Sequence, residues 1–475
     1  VMSCALSAQD ITVKRPAVDL YQDTWVATDA LGRTMPGYDA VGPVKTDQRR
    51  VVGIFYITWH TQNLANMPAP YDADVTMVLQ ADPNARFQAD NPNWKRGYYH
   101  WGEPEMGYFL SQDEWVIRKD MSMLSDAGVD VLVLDVTNAV RYWDEWEVLF
   151  STMEKMREEG NNTPQFCFWA FNGEVITVVQ QLYERIYKEN KYPDLWFYWD
   201  GKPLLLYNAD PVHDANGGHS AYKDGKHDYS DEVKNYFTLR NMWWGYYEWA
   251  GKRFIGTEDN WSFGYSMADS RIKSMTPEQL ASKHDGKIEE VAVTPAQHPV
   301  TMTDVPMGVG KSWSKRDGEP KLNEYDLPDS AYVPWLGRKV SDPEGYGIYF
   351  QERWDDALAA NPQFLYLNDW NEWTAGKYNG DVMWLGRKNP FMFVDQYNAE
   401  FNRTIQPMKG GYTDNYYMQM AQNIRRYKGA RPIPVNRHIH KMSVDGSFAD
   451  WDRIDVVYRD TKGDVFHRDA KGYGG

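Results

Sequence analysis

The feature that most constrains this fold is an alternation, repeated along most of the chain, between short apolar runs and longer amphipathic stretches. Such an alternation is typical of a parallel sheet whose two faces are covered by helices. Eight apolar runs predict a (β/α)₈ TIM-type barrel with long loops. They begin at Val51, Val129, Gln165, Pro203, Tyr236, Arg253, Glu290 and Phe364. An open doubly wound sheet is the alternative, although no glycine fingerprint follows the first strand.

Two of the eight strands depend on weaker patterns than the others. A strand over 236–239 would bring Arg240 to its carboxyl end, and one over 253–256 would end near Glu258. Helical periodicity is clearer, because apolar residues recur three and four positions apart between capping residues. It predicts helices over 113–127, 143–159, 174–189, 346–360, 394–404 and 413–427.

The last predicted strand is followed by a dense polar and aromatic cluster. After Phe364 to Leu367 the chain reads Asn-Asp-Trp-Asn-Glu-Trp-Thr-Ala-Gly. From Asp369 to Trp373 the stretch holds two acids, an amide and two indoles, which are costly to bury for structure alone. Catalytic side chains of α/β barrels lie at the carboxyl ends of strands. We therefore predict the active site here. The structural alternative is a strand end with a capping aspartate and two core tryptophans.

Composition narrows the class of ligand. The 475 residues include 21 Trp and 32 Tyr, and sugar rings present flat C–H faces that stack on such side chains. The net charge of −16, with no basic run to offset it, argues against a nucleic-acid partner. No run of 18 apolar residues is present to span a membrane. We expect an oligo- or polysaccharide as the partner.

Hydrolysis of a glycosidic bond needs two carboxyl groups across the scissile bond, one of them protonated near neutral pH. Glu372, flanked by an amide and an indole, is the first choice, and Asp135, at the end of the second strand, is its expected partner. The alternative for Asp135 is that it caps the next helix. The complete set of predicted catalytic residues is Glu372, Asp135, Asp369 and Glu103.

Amide, imidazole and indole groups at the other predicted strand ends suit hydrogen bonding to sugar hydroxyls and stacking on sugar rings. The predicted substrate-binding residues are Trp59, His60, His100, Trp101, Asn138, Asn172, Asn208, His298, Trp370, Asn371 and Trp373. The histidines are explained equally well by ordinary polar contacts. No His-x-x-x-His or cysteine pair favours a metal, so no cofactor is predicted.

The two ends of the chain differ in character from the middle. Residues 1–10 resemble the tail of an export signal, and Cys4 fits a lipid-modified cysteine, which predicts a secreted, periplasmic or cell-surface protein. The alternative is a cloning remnant. We predict an arm over 1–48, the barrel over 49–430 and the start of a β-rich module over 436–475.

Four segments carry a family resemblance: VGIFYITWH, YYHWGEPEMGYF, WVIRKDMSMLSDAGVDVLVLDVTNA and NDWNEWTAG. In this order they resemble bacterial proteins grouped with glycoside hydrolase families 71 and 99, including WbsX-type proteins. The resemblance covers most of residues 50–430. It implies a (β/α)₈ barrel that acts on α-linked glycans such as mannosides or glucans.

In family 99 the final segment carries two glutamates, of which the first acts on the sugar 2-hydroxyl and the second is the general acid/base. The resemblance assigns the first role to Glu372 and places Ala375 at the second position, where no proton can be transferred. Either another acid replaces it, with Asp135, Asp369 and Glu103 as candidates, or the barrel binds glycans without cleaving them.

The C-terminal sequence from Ser443 to Gly475 resembles the opening of a family 9-like carbohydrate-binding β-sandwich, without residues that define its binding site. Three functional hypotheses follow from the whole chain. The first is a secreted glycoside hydrolase with a partial β-sandwich segment, and the second is a non-catalytic glycan-binding protein. The third, a polysaccharide-assembly protein, would be expected inside the cell, and the export-like segment argues against it.

Overall fold

The computed structural model describes residues 18–61, 74–94, 98–211, 225–226, 228–245, 247–249, 251–265, 267, 269–296, 330–341, 343–384, 387–393, 402–464 and 468. Some of the predictions concern residues outside these ranges. They are the export-like segment with Cys4, the predicted sugar contact His298 and the first part of the helix predicted over 394–404.

The centre of the molecule is a ring of eight parallel strands. We number them along the chain as β1 Val51–Tyr56, β2 Val131–Val136, β3 Gln165–Ala170, β4 Lys202–Tyr207, β5 Thr238–Gly245, β6 Asn260–Tyr265, β7 Lys287–Val293 and β8 Phe364–Leu367. Consecutive strands pair from β1 to β6 and from β7 to β8, and β8 pairs with β1.

The remaining seam of the ring, between β6 and β7, is bridged by a side chain. The backbone N–H of Ser262 in β6 donates to Oε2 of Glu290 in β7 at 3.0 Å. This strand order, in which each strand neighbours the next along the chain, is that of a (β/α)₈ barrel. The predicted fold class is therefore confirmed.

Two of the predicted strands are wrong in detail. Arg240 is the third residue of β5, near its beginning, and not the residue after its end. The run near Arg253 instead forms a hairpin of two short strands, Lys252–Arg253 and Glu248–Trp249. The sixth barrel strand, β6, follows this hairpin. In the sequence, a charged residue after an apolar run indicates the end of a strand. Arg240 nevertheless lies inside β5, because its charge is paired with the buried carboxylate of Glu289.

The helices form the outer layer of the barrel. Asp113 caps the helix Glu114–Ala127, because its Oδ1 accepts the N–H groups of Trp115 and Val116, and Gly128 ends it at φ 92°. The other longer helices are Trp143–Glu158, Val175–Leu182 with a π-helical continuation Tyr183–Tyr187, Ile348–Ala360 and Asn415–Lys428. Shorter helices are Tyr38–Val41, Val75–Ala81, Asp231–Tyr236, Ser270–Lys273 and Pro277–Leu280.

A small antiparallel sheet lies next to the carboxyl end of β8. It consists of Tyr98–His100, Thr374–Trp384 and Arg387–Phe393. Within it, His100 pairs with Thr374, two residues after Glu372. The long segment between β1 and β2 is thereby brought beside the polar cluster that follows β8.

The chain before β1 lies against the last helix and the segment after it. Arg425 donates to the carbonyl groups of Gln22 and Trp25, and Arg431 pairs with Asp19 and Asp23. These contacts agree with an N-terminal arm that packs on the barrel.

The segment after residue 435 differs from its prediction. Between residues 436 and 464 the structure contains no strand, and its regular element there is the 3₁₀ helix Ala449–Arg453. The predicted β-rich module is not formed in this range. Residues 402–404 are also extended, whereas helical periodicity predicted a helix up to 404. Among the described helices, none combines the length and the apolar character needed to cross a membrane.

Candidate active site

The polar cluster after β8 is held in place by a second stretch of chain that runs beside it. The N–H of Asp369 donates to the carbonyl of Arg403 at 3.1 Å, and the N–H of Ile405 donates back to the carbonyl of Asp369 at 3.0 Å. The N–H of Gln406 donates to the carbonyl of Trp370 at 2.8 Å. This strand-like pairing of residues 403–406 with 369–370 fixes the backbone from which Glu372 projects.

A buried arginine joins the two acids of the cluster. Arg403 Nη2 lies 2.6 Å from Glu372 Oε2, and its Nε lies 4.0 Å from Asp369 Oδ2. The backbone N–H of Glu372 also donates to Asp369 Oδ1 at 3.1 Å. All three residues are at most 2% exposed, so the charges interact in a medium that screens them weakly.

The two acids have different electrostatic surroundings. Burial raises the pKa of Asp369, and the positive charge of Arg403, 4.0 Å away, opposes this only in part. Glu372 makes the short, direct contact with the guanidinium, whereas Asp369 lies 4.0 Å from it. The arrangement therefore contains one carboxyl group in direct contact with a cation and one whose pKa is raised by burial.

Asp135 approaches the same region from β2. It is 4% exposed, and its Oδ1 accepts the N–H of Thr137 at 2.8 Å. That contact lies in the loop after β2, so Asp135 does not cap the helix Trp143–Glu158. Its strand and β8 are separated only by β1, a span of roughly 10 Å between strand axes.

The hydroxyl of Tyr366, in β8, lies between these charged groups. Burial raises the pKa of Tyr366 well above its ordinary value, the charge of Arg403 lowers it, and the charges of Asp369 and Asp135 raise it further. The hydroxyl is buried and has no hydrogen-bond partner among the described residues. Such an orphaned group is costly unless a ligand or water satisfies it.

His60 and His100 form a neutral imidazole pair close to the cluster. His60 follows the end of β1, and its ring centroid lies 6.2 Å from that of His100. Burial and the neighbouring His100 lower the pKa of His60 well below 6.5, and burial lowers the pKa of His100 to about 3. Neither ring nitrogen of His60 has a partner among the described residues. Both imidazoles are therefore better suited to hydrogen bonding with an uncharged ligand than to proton transfer.

The other predicted binding residues differ in whether their polar atoms have hydrogen-bond partners among the described residues. Buried Nε1 of Trp59 and buried Oδ1 of Asn172 have no partner in the described structure. Asn208 instead binds backbone groups, since its Nδ2 donates to Phe171 at 3.3 Å and its Oδ1 accepts from Asp210 at 2.9 Å. Asn138 is exposed on the loop after β2.

The tryptophans of the cluster are buried supports rather than open platforms. Trp101 and Trp373 stack on each other, with ring centroids 4.7 Å apart and planes 14° apart. Nε1 of Trp101 donates to the carbonyl of Glu372 at 2.9 Å, and Nε1 of Trp373 donates to Gln406 at 2.6 Å. With Trp370 they are 0% exposed, so protein covers the ring faces that were predicted to stack on sugar.

Asn371 and Glu103 also have partners within the protein. The amide of Asn371 accepts the N–H of Ile57 at 2.8 Å and donates to its carbonyl at 3.1 Å, which extends β1 by one pairing. Glu103 is partly exposed and pairs with Lys409. Its carboxylate is thus engaged by a surface lysine and not by Arg403.

The site contains three residues that the sequence analysis missed. Arg403 gives no local signal, because it lies 31 positions after Glu372 in a stretch predicted to be helical. Tyr366 was counted only as an apolar strand residue. Trp243 was missed because the fifth strand was ended too early. Its half-buried ring stacks on Phe171 at 4.0 Å, at the carboxyl end of the barrel.

Asp120, a buried acid in the helix Glu114–Ala127, is hydrogen-bonded to the segment that runs beside the cluster. Asp120 Oδ1 accepts from Nε2 of Gln406 at 2.6 Å, and Oδ2 accepts from the hydroxyl of Tyr56 at 3.0 Å. Burial raises the pKa of Asp120 to about 7, against the hydrogen bonds that it accepts. Because Gln406 also binds Trp373, Asp120 is connected to the segment that carries Glu372.

Ala375 lies in the strand Thr374–Trp384, where its backbone pairs with Tyr99. The strand thus continues away from the cluster without supplying a second glutamate. Any second carboxyl group for chemistry must come from another element, and Asp135 is the described acid that approaches from a different barrel strand.

Comparisons with known proteins give a distant likeness. Two solved structures of the GH99 endo-alpha-mannosidase from Bacteroides thetaiotaomicron, one of them with BIS-TRIS-propane, are 14% and 13% identical to the chain. The matches cover 80% of this chain and 98% of those chains, with TM-scores of 0.42 and 0.43. No family model and no curated protein matches. The likeness assigns neither a family nor an activity to the chain.

Proposed function

We propose that this protein is a glycoside hydrolase that cleaves an α-linked glycan at the carboxyl end of its barrel. One observation carries the proposal: Glu372, a buried carboxylate ion-paired at 2.6 Å with Arg403, lies near buried polar atoms that have no partner among the described residues. A polyhydroxylated ligand supplies many hydrogen bonds to such groups, and glycosidases use carboxyl groups at such positions. The motif resemblance of Asn371-Glu372-Trp373 supports the α-linkage.

In this proposal Glu372 is the carboxyl group that acts on the sugar. Its ion pair with Arg403 orients it as a base that draws a proton from a sugar hydroxyl or water, or as a nucleophile at the anomeric carbon. Asp369, whose pKa burial raises, positions Glu372 by accepting its backbone N–H. It follows β8 on the same short segment and so does not flank the scissile bond from the opposite side.

The second carboxyl group is assigned to Asp135. Two carboxyl groups on opposite sides of a glycosidic bond are about 5 to 10 Å apart. The strand of Asp135 lies roughly 10 Å from β8, which is compatible with this range. Asp135 would protonate the leaving oxygen, while neutral His60 and the amide of Asn172 bind sugar hydroxyls. Trp59 and Trp243, both half-buried, offer ring faces for stacking.

The experiment is a hydrolysis and binding screen against α-linked oligosaccharides, with wild type, Glu372→Gln, Asp135→Asn and Glu103→Gln compared. Glu103→Gln is the matched control, since it makes the same chemical change at a surface acid paired with Lys409. We expect Glu372→Gln to lower turnover by at least about 10³-fold while ligand binding is retained. Asp135→Asn should lower turnover most for substrates with poor leaving groups, and Glu103→Gln should leave it unchanged.

Two outcomes contradict the proposal in different ways. Binding of glycans by wild type without any hydrolysis would identify a non-catalytic glycan-binding barrel. Full activity of Glu372→Gln would show that hydrolysis takes place with another carboxylate. The extracytoplasmic location that we infer depends on residues 1–10 alone, and fractionation of cells that express the full chain tests it separately.

A further inference from the structure

Outside the barrel, two histidines and an aspartate in the C-terminal segment form a compact donor cluster. One ring nitrogen of His438, one of His440 and one carboxylate oxygen of Asp455 all lie within 4.8 Å of one another. His438 Nδ1 is 3.1 Å from Asp455 Oδ2. The histidines are two residues apart in the chain, and Ile439 between them is fully exposed.

One ring nitrogen of His440 is the feature that points to a metal ion. Nε2 of His440 is buried, and it has no hydrogen-bond partner among the described residues. A buried imidazole nitrogen without a partner is costly, and a metal ion would satisfy it. Ligand atoms about 2.0 to 2.2 Å from a tetrahedral zinc ion lie about 3.5 Å apart, so side-chain rotations would have to bring these three groups closer than the 4.8 Å that encloses them.

The C-terminal segment has less hydrophobic core to stabilise it than the barrel has. Between residues 433 and 458 several apolar side chains are exposed, and the segment buries little core of its own. They are Ile433, Val435, Ile439, Val444, Phe448, Trp451, Val457 and Tyr458. Short units with little hydrophobic core are commonly stabilised by disulfides or metal ions. A metal ion here would tie residues 438–440 to residue 455.

We propose that His438, His440 and Asp455 bind a Zn²⁺ ion whose fourth position is open to solvent. Two imidazoles and one carboxylate are a ligand set that suits zinc, and solvent access at the exposed side leaves room for water. The role is structural: the ion orders the segment between His438 and Asp455. It is independent of Glu372 and of the proposed hydrolysis.

Calorimetric titration of the metal-free full chain with ZnCl₂ tests the proposal. We expect one site per chain, with affinity lowered at least about 100-fold in His438→Ala and in His440→Ala, and lowered also in Asp455→Asn. The matched control is His284→Ala, which removes an exposed histidine 2.7 Å from Asp259 that has no second imidazole in the described structure beside it. Its affinity should equal that of wild type.

Limited trypsin digestion adds a second measurement. Lys441 and Arg453 lie inside the cross-linked segment, so Zn²⁺ should slow cleavage at both in wild type and not in His440→Ala. Absence of a zinc site in wild type would overturn the proposal. So would equal affinity in wild type and His440→Ala, because zinc would then be bound elsewhere.

Discussion

Each end of the barrel contains a buried arginine paired with a glutamate. The two ends differ in whether the polar groups around the pair have hydrogen-bond partners. At the amino end, Glu289 accepts two hydrogen bonds from Arg240 at 2.7 Å and one from each of the indoles of Trp199 and Trp261 at 2.8 Å. At the carboxyl end, Glu372 and Arg403 lie beside the orphaned hydroxyl of Tyr366.

The pKa shifts show the consequence of this difference. Burial acts to raise the pKa of Glu289, but the hydrogen bonds and charge of Arg240 and the two indoles outweigh it and lower the pKa overall. For Asp369 burial prevails over Arg403, and the pKa is raised. Among the described residues, the carboxylate at the amino end is fully hydrogen-bonded, whereas the carboxyl end has a buried hydroxyl without a partner and an acid whose pKa is raised.

The largest expected effect comes from Arg403→Gln, which leaves Glu372 buried without its cation. We expect turnover to fall about 10²- to 10³-fold and the free energy of unfolding to fall by about 3 to 5 kcal/mol. Reducing-end assays and urea denaturation measure the two effects. The double variant Glu372→Gln/Arg403→Gln should be more stable than Arg403→Gln, because the uncompensated charge is gone. A further loss of stability would contradict the buried ion pair.

At the opposite end, Arg240→Gln should separate stability from function. It leaves Glu289 charged and buried, so the free energy of unfolding should fall by about 3 to 5 kcal/mol. The kcat/KM per folded molecule should match that of wild type, measured with the folded fraction determined by circular dichroism. A change in kcat/KM similar to that of Arg403→Gln would show that the two ends are not independent.

A smaller effect is expected for Tyr366→Phe, which removes only the orphaned hydroxyl. Stability should be unchanged or higher by up to about 1 kcal/mol, since an unsatisfied buried polar group is removed. The kcat/KM should fall about 10-fold if a substrate or water uses the hydroxyl. Tyr265→Phe is a control, because its hydroxyl accepts the N–H of Ala292 within the protein. A loss of stability in Tyr366→Phe without a loss of activity would assign the hydroxyl a structural role.

The last comparison concerns the pH dependence of stability through Asp120. The native state keeps this proton up to pH about 7, whereas an unfolded aspartate releases it near 3.8, so between these values the native state binds more protons. Its contribution therefore makes the free energy of unfolding fall as pH rises, by at most about 1.4 kcal/mol per pH unit.

Asp120→Asn should flatten this slope between pH 4 and 7, while the amide keeps the contacts with Tyr56 and Gln406. Asp126→Asn is the matched comparison, because burial raises the pKa of Asp126 to about 6 and its slope should end one unit earlier. Urea denaturation at a series of pH values measures both. An unchanged slope in Asp120→Asn would show that this acid is ionised in the native state.

Much of the barrel was predictable, and the errors have physical causes. The strands β1, β2, β3, β4, β7 and β8 lie where their apolar runs predicted them, because strands buried on both faces need such runs. The fifth and sixth were misplaced, since the pattern cannot show that Arg240 is neutralised by Glu289, 49 positions away. The tryptophans of the cluster were predicted to be sugar platforms, but only packing decides which ring faces remain open.

By itself, the sequence determined the class of fold and the position of the polar cluster. The period of its apolar residues requires parallel strands under helices, and the polar cluster must follow the last strand. Only the tertiary structure decided which charged groups pair. Arg403 reaches Glu372 through the pairing of residues 403–406 with 369–370, and the order of strands around the ring leaves only β1 between the strands that carry Tyr366 and Asp135. Charge pairing between distant positions leaves no periodic trace in one sequence, so the contact of Arg403 with Glu372 was decided by the fold.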